Sequence, residues 1–265
     1  MMPRYVSAVF AALACAGLSL IPAAQAAEPA QPAKTAISDE AKEAVQRMGK
    51  TLAAEDVSVK ARTIRVYLDD KGQPLHIFHT MDVVMHRPDR LLVKVTGDLG
   101  SDEMFYDGKT VTLAGSDKTK YGQIAAPNTI AAMLEEVVGR LGVDMPLADL
   151  LAPAPDQAFL SGVTTGSEVD TVTIDGAPYR HLFFTQPPGI ELELWVSKNE
   201  QALPARLIVT HRLLPGQPNL IIEFSDWKFG VRHPDSEFVF QPPPGATKID
   251  LKAANAGPAA GGNKQ

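Results

Sequence analysis

Six histidines are the first residues in this chain whose chemistry could make a site. A metal centre needs several of them, or acidic partners, at spacings that bring their ligating atoms together. His76 and His79 are three apart in a stretch that reads as a strand, and that spacing sends side chains to opposite faces. His86, His181, His211 and His233 have no partner at ligand spacing. All six read as surface or hydrogen-bonded strand histidines, so no metal and no other cofactor is expected. Gly108-Lys109-Thr110 ends like a phosphate-binding loop, but the glycine required five residues earlier is absent and a hairpin follows where a helix should. There is no G-x-S-x-G elbow. The carboxylate pairs Asp39/Glu40 and Glu135/Glu136 fall on helix faces predicted to be solvated. No catalytic residue is assigned, and only a hydrolase built from residues distant in sequence would escape this search.

The single cysteine, Cys15, lies in an N-terminal export signal. Arg4 supplies its positive charge, the run from Tyr5 to Ile21 is apolar or small, and Ala24-Gln25-Ala26 is an A-x-A cleavage site. Lipid attachment at Cys15 would want leucine three residues earlier, where Ala12 stands. The expectation is a signal peptide over 1–26, cleavage after Ala26, and a periplasmic protein with neither thiols nor a membrane-inserted segment. The net charge of −6 argues against nucleic acid, which needs a basic footprint. Residues 27–37 read as a flexible lead-in and 253–265, rich in Ala, Gly and Asn, as a disordered tail. Residues 38–252 between them are one domain.

That domain opens with a helix. Ser38 can cap it, Asp39 and Glu40 suit its first turn, and Ala41, Val45, Met48 and Leu52 make one apolar stripe. From Val57 the period becomes two, punctuated by the turns Asp70-Lys71-Gly72, Asp107-Gly108 and Asp175-Gly176. The alternation predicts strands over 57–69, 74–86, 90–97, 102–107, 110–115, 119–124, 160–167, 169–175, 178–186, 190–197, 204–212 and 218–229, joined by short links as an antiparallel meander. Leu192, Leu194 and Val196 oppose Glu191, Glu193 and Trp195. Leu220, Ile222 and Phe224 oppose Glu223, and Val83, Met85 and Arg87 oppose Asp82 and His86. One face is therefore predicted apolar and the other wet. Between Pro127 and Pro155, Asn128 can cap a helix with apolar positions Ile130, Met133, Leu134, Val137, Val138 and Leu141, stopped by Gly142. A short helix follows through Leu147–Leu151. The fold class is mainly β (α+β): a strongly curved antiparallel sheet whose concave face is covered by an N-terminal helix and a helical lid. Two arrangements write this pattern, a filled core and a cavity between sheet and lid that takes acyl chains.

His86-Arg87-Pro88-Asp89-Arg90-Leu91 followed by Tyr106-Asp107-Gly108-Lys109-Thr110 resembles the periplasmic lipoprotein carriers of the LolA/LolB type. Phe238-Val239-Phe240-Gln241-Pro242-Pro243-Pro244-Gly245-Ala246 is similar to their C-terminal Phe-x-Phe-x-Pro-Pro-x-Gly. Tyr106 to Thr110, Pro146 to Leu151, and His181-Leu182 with Leu194-Trp195-Val196 resemble more closely domain-of-unknown-function family 2092, a set of predicted bacterial periplasmic proteins. The resemblance spans Ser38 to Ile249. It implies a half-open β-barrel with a helical lid, in which the arginine of the Arg-Pro turn bonds the lid backbone in the closed form. Arg87 is the matching position; a solvated turn arginine is the alternative. Where the carriers place Trp and Phe, this chain has Val84 and Leu91, which makes its pocket aliphatic.

The functional expectation is a non-catalytic carrier or sensor of a hydrophobic or amphiphilic molecule such as a lipid, acyl chain or lipopeptide. Its cavity and lid candidates are Val83, Met85, Arg87, Leu91, Ile130, Met133, Leu134, Val137, Leu192 and Leu194. The alternative is a protein-interaction module with a packed core, taking a periplasmic partner at a sheet edge or the lid groove.

Overall fold

The computed structural model describes residues 36–115, 117–142 and 145–251. The predicted signal peptide, most of the predicted lead-in and the predicted tail lie outside the described residues.

Helix α1, Asp39–Leu52, begins where the sequence predicts, with the Ser38 hydroxyl accepting from the Ala41 N–H. Ala41, Val45, Met48 and Leu52 form its buried stripe. Eleven strands then run as β1 (Asp56–Leu68), β2 (Pro74–His86), β3 (Arg90–Gly97), β4 (Gly100–Tyr106), β5 (Thr110–Gly115), β6 (Lys120–Ala125), β7 (Thr165–Ile174), β8 (Ala177–Gln186), β9 (Ile190–Ser197), β10 (Pro204–His211) and β11 (Asn219–Phe229). With β12, Thr247–Lys248, they make one curved open sheet in the order β12-β6-β5-β4-β3-β2-β1-β11-β10-β9-β8-β7. Every pairing is antiparallel except β12 on β6.

Helices interrupt the strands once: α2 (Ile130–Leu141), α3 (Ala148–Leu151) and α4 (Pro155–Leu160). Thr129, not Asn128, caps α2, its hydroxyl accepting from the Ala132 N–H. Gly142 ends the helix in the left-handed conformation that glycine adopts without a Cβ clash. The strand expected over 160–167 forms only in part: Leu160 ends helix α4, and 165–167 open β7. Pro155 occupies the first turn of α4, where the missing N–H costs nothing, and Phe159 is buried against Phe184. At its crossing with α1, a Cβ on Gly49 would stand 2.5 Å from Asp156 Cβ, so only glycine permits the approach. The sheet resumes as one strand, β7, with an irregularity between Glu168 and Asp170. Its outer edge is met by Ile37, which bridges to Gly166 and so ends the lead-in one residue early.

The concave face and the helices share one core, which includes Met48, Val57, Met85, Leu91, Met133, Val137, Leu182, Leu194 and Ile222. The convex face is less wet than alternation implies. Trp195 is buried there, stacked on His181 at 4.1 Å and covered by the Arg206 guanidinium. His86 is also buried, its Nδ1 2.9 Å from Asp56 Oδ1. After β11 the chain crosses this face, seating Phe238 and Phe240 with Leu92, Phe105 and Ala114 in a second, smaller core before β12 joins the β6 edge.

Candidate functional site

On each central strand the concave-facing residues form a row with two different ends. At one end Val57 and Val59 of β1, Met85 and Val83 of β2, Leu91 of β3, Tyr106 of β4 and Val111 of β5 are all buried. Helix α2 lies over this end because its N-terminus is tied to the strands. Its Ile130 N–H donates to Pro88 O at 2.8 Å, and the Tyr106 hydroxyl donates to Pro127 O just before it. Ile130, Met133, Leu134 and Val137 are consequently buried, as are Leu192 and Leu194 across the face. The structure places nine of the ten sequence candidates in this one buried core.

Arg87, the tenth, is a clamp. Its Nη1 donates to Leu151 O at 2.7 Å, its Nε to Ala54 O at 3.2 Å and its Nη2 to Leu52 O at 3.2 Å. Those acceptors are carbonyls at and just beyond the C-termini of α1 and α3, which lack intrahelical partners and carry the negative end of the helix dipole. One guanidinium thus joins the N-terminal helix to the lid. Burial lowers its pKa from the ordinary arginine value, yet the group keeps its charge at any physiological pH.

The other end of the same rows is open. A cavity of about 470 Å³ is lined by Thr63 and Arg65 of β1, His79 and Met81 of β2, Val93 and Val95 of β3, Asp102, Glu103 and Met104 of β4, Leu113 of β5 and Leu220 of β11. Met145 and Pro146, between α2 and α3, complete the wall. Length explains the opening. The 13 residues of β1 or β2 extend about 43 Å at 3.3 Å each, whereas the 12 of α2 extend about 18 Å. Even laid along the strands, α2 is too short to cover the full rows.

The lining is apolar at its floor and polar at its rim. Met81, Val93, Val95, Met104, Leu113 and Leu220 are the floor, while Arg65, His79 and Asp102 stand toward the hairpin tips. The His79 ring lies on Gly97, where a Cβ would come within 2.6 Å of its Cδ2. Glu103 reaches the convex side instead, where Lys118 Nζ is 3.2 Å from its carboxylate.

None of the ten sequence candidates lines this cavity. Leu134 borders only a shallow depression between α2 and α3, with Ala131, Val138, Ala148 and Ala152. A signal for the true opening existed in the strands: the apolar phase Val57-Val59-Ala61 runs on into Thr63 and Arg65, and Met104 is followed outward by Asp102. An inward phase that turns polar before the strand ends marks the place where cover stops. Among the described residues no cluster of His, Cys, Asp and Glu could hold a metal ion, and no helix is long and apolar enough to cross a membrane.

The model of the predicted periplasmic protein family DUF2092 matches residues 41–252. No protein among the curated sequences matches. Among solved structures, a LolA superfamily protein from Nitrosomonas europaea aligns at 12% identity and TM-score 0.38, over 76% of this chain and 98% of its own. The lipoprotein LppX of Mycobacterium tuberculosis aligns at 19% and 0.43, over 74% of this chain and 99% of its own. The MucA/MucB complex of Pseudomonas aeruginosa aligns at 15% and 0.40, over 76% of this chain and 61% of the matched chain. The chain belongs to the DUF2092 family.

Proposed function

We propose that this DUF2092 family member is a non-catalytic periplasmic binding protein that carries or senses an amphiphile in the uncovered end of its concave face. The supporting observation is the cavity itself: about 470 Å³, with six apolar floor residues and a polar rim. Its size lies within the range of small-molecule sites. Each buried CH₂ contributes about 0.8 kcal/mol, so part of one acyl chain supplies useful affinity after the cost of immobilising it. Val83, Met85, Leu91, Ile130, Met133, Leu134, Val137, Leu192 and Leu194 form the closed seat of the lid in this reading. A longer chain reaches them only if the helices lift, and lifting breaks the Arg87 bond to Leu151 O.

Native mass spectrometry of protein purified gently from periplasm, with lipid extraction of the same sample, tests the proposal. A discrete added mass that extracts as an acyl compound supports it. A clean apo mass, together with no uptake of a fluorescent fatty acid, overturns it.

A protein-interaction role is the second reading. Leu99 and Leu213 at hairpin tips are 76% and 72% exposed, and the depression between α2 and α3 is apolar and bordered by Glu135 and Asp149. A stoichiometric periplasmic partner without co-purifying lipid would favour it.

A further inference from the structure

The inward rows that line the cavity do not end at its polar rim. Beyond the rim on β1 the same phase reaches Tyr67, and on β2 it reaches Leu75, the residue paired with Tyr67 across the two strands. Both are exposed. The β10–β11 turn meets this hairpin, for a Cβ on Gly216 would stand 2.7 Å from Leu68 Cδ1. That turn carries the exposed Leu213 and Leu214. The β3–β4 turn joins the same end of the sheet: the Asp98 N–H donates to Phe78 O at 3.1 Å, and the Phe78 N–H donates to Asp98 Oδ2 at 3.0 Å. Its tip is Leu99. Among the described residues, Leu99 and Leu213 are the two most exposed large apolar side chains.

We propose that this end of the sheet docks reversibly on the surface of a lipid bilayer, so that the amphiphile passes between membrane and cavity without crossing water. An apolar lip outside a polar rim contributes nothing to a ligand whose tail lies on the floor below. It is the part that reaches the acyl boundary when the mouth of the cavity faces a bilayer. Tyr67 suits that depth, with an apolar ring and a hydroxyl for the head-group level. Charge argues for the same occupant. The turns 69–73, 98–99 and 212–217 carry Asp69, Asp70 and Asp98 against Lys71 and Arg212. Most of these charges are engaged within their own end of the sheet. Asp69 Oδ1 accepts from the Lys71 and Gln73 N–H groups, Asp98 accepts from Phe78, and Arg212 Nε lies 3.2 Å from Glu191 Oε1. An end so nearly neutral offers no charge pattern to an acidic or basic protein. Apolar tips separated by polar turn backbone instead match the boundary between head groups and acyl chains.

The inference rests on the binding function proposed above, and the experiment separates the two. Flotation of the periplasm-purified protein with phosphatidylcholine vesicles measures docking. A fluorescent fatty acid measures uptake in vesicle-free solution and then transfer from protein to vesicles. The protein should float, equally well with phosphatidylglycerol mixed in, and binding should change less than about twofold between about 50 and 300 mM salt. Leu99→Ser combined with Leu213→Ser should weaken vesicle binding about tenfold or more while uptake in solution stays normal. Val169→Ser, exposed on β7 at the far edge of the sheet, should change neither. The transfer rate should rise in proportion to vesicle concentration for the unaltered protein and lose that dependence in the double variant. Four results overturn the docking assignment while the binding function stands: no flotation, flotation only with anionic vesicles at low salt, binding indifferent to the double substitution, or transfer independent of vesicle concentration. Failure to take up any fatty acid overturns the binding function and the transfer route with it.

Discussion

The covered and uncovered ends of the concave face are built from the same strands, with the same alternation and the same kinds of residue. Val83, Met85 and Leu91 at one end are buried under α2, while Met81, Val95 and Leu113, one or two steps along the same rows, face a cavity. Until the inward phase turns polar at Thr63, Arg65, His79 and Asp102, strand chemistry does not separate these ends. What separates them is where a helix is anchored and how long it is. Pro88 O and Pro127 O hold the start of α2 near the Arg-Pro turn, and its short length leaves the hairpin half of the sheet bare. An apolar face becomes a core or a site according to what lies over it.

The largest expected effect contrasts the two ends with one change of side chain. Leu91→Ala removes a fully buried side chain and should cost about 2–5 kcal/mol of unfolding free energy. Leu113→Ala, at the cavity wall, creates no new enclosed void and should cost about 1 kcal/mol or less. Urea unfolding of both variants measures the difference. Equal losses would mean that the cavity is closed in solution and that the two ends are alike.

The Arg87 clamp gives the next effect. Arg87→Met keeps the stem but strands the Leu52, Ala54 and Leu151 carbonyls, at about 1–3 kcal/mol for the buried acceptors left unpaired. Hydrogen exchange should accelerate in α3 and at the end of α1 and stay unchanged in β8 and β9. Exchange that is unchanged everywhere would make Arg87 a passive turn residue.

Most of this architecture is readable from the chain. The strands 74–86, 90–97, 110–115 and 190–197 follow from alternation and turn chemistry with no tertiary information. The Arg-Pro pattern identified the clamp position, although only the folded chain shows which carbonyls it meets. Three things were not legible. Leu160 begins the strand expected over 160–167 but ends helix α4, whose Phe159 packs against Phe184. Trp195 sits in the outward phase yet is buried, because Arg206 and His181 arrive from neighbouring strands to cover it. The position of the cavity is not legible from the helices, because a helix stripe reveals that something is covered but not how far along the sheet the cover reaches; only the polar turn of the inward strand phase points to it.

A third prediction adds volume instead of removing it. Val83→Phe forces a ring into the packed end and should destabilise by about 1–3 kcal/mol. Val95→Phe places the same ring in open space, so stability should stay within about 0.5 kcal/mol. The second variant should also lose fatty-acid uptake while the first, if folded, retains it. Uptake that survives Val95→Phe would place the ligand elsewhere.

The smallest effect concerns Tyr106, which anchors the covered end through Pro127 O. Burial, together with the nearby Asp89 carboxylate, pushes its pKa up to about 12. In the unfolded chain the phenol ionises near pH 10. The sign follows from linkage: the folded state holds the proton more tightly, so the contribution is complete below pH 10 and is lost as pH rises through about 12. Tyr106→Phe should lower stability by about 1 kcal/mol at neutral pH, the cost of an unmet carbonyl, and should flatten the decline between pH 10 and 12. Tyr67→Phe, at the exposed hairpin of the other end, should do neither. If the alkaline decline persists in Tyr106→Phe, the proton release belongs to another group, and the tie at Pro127 O is not what holds α2 over the covered half.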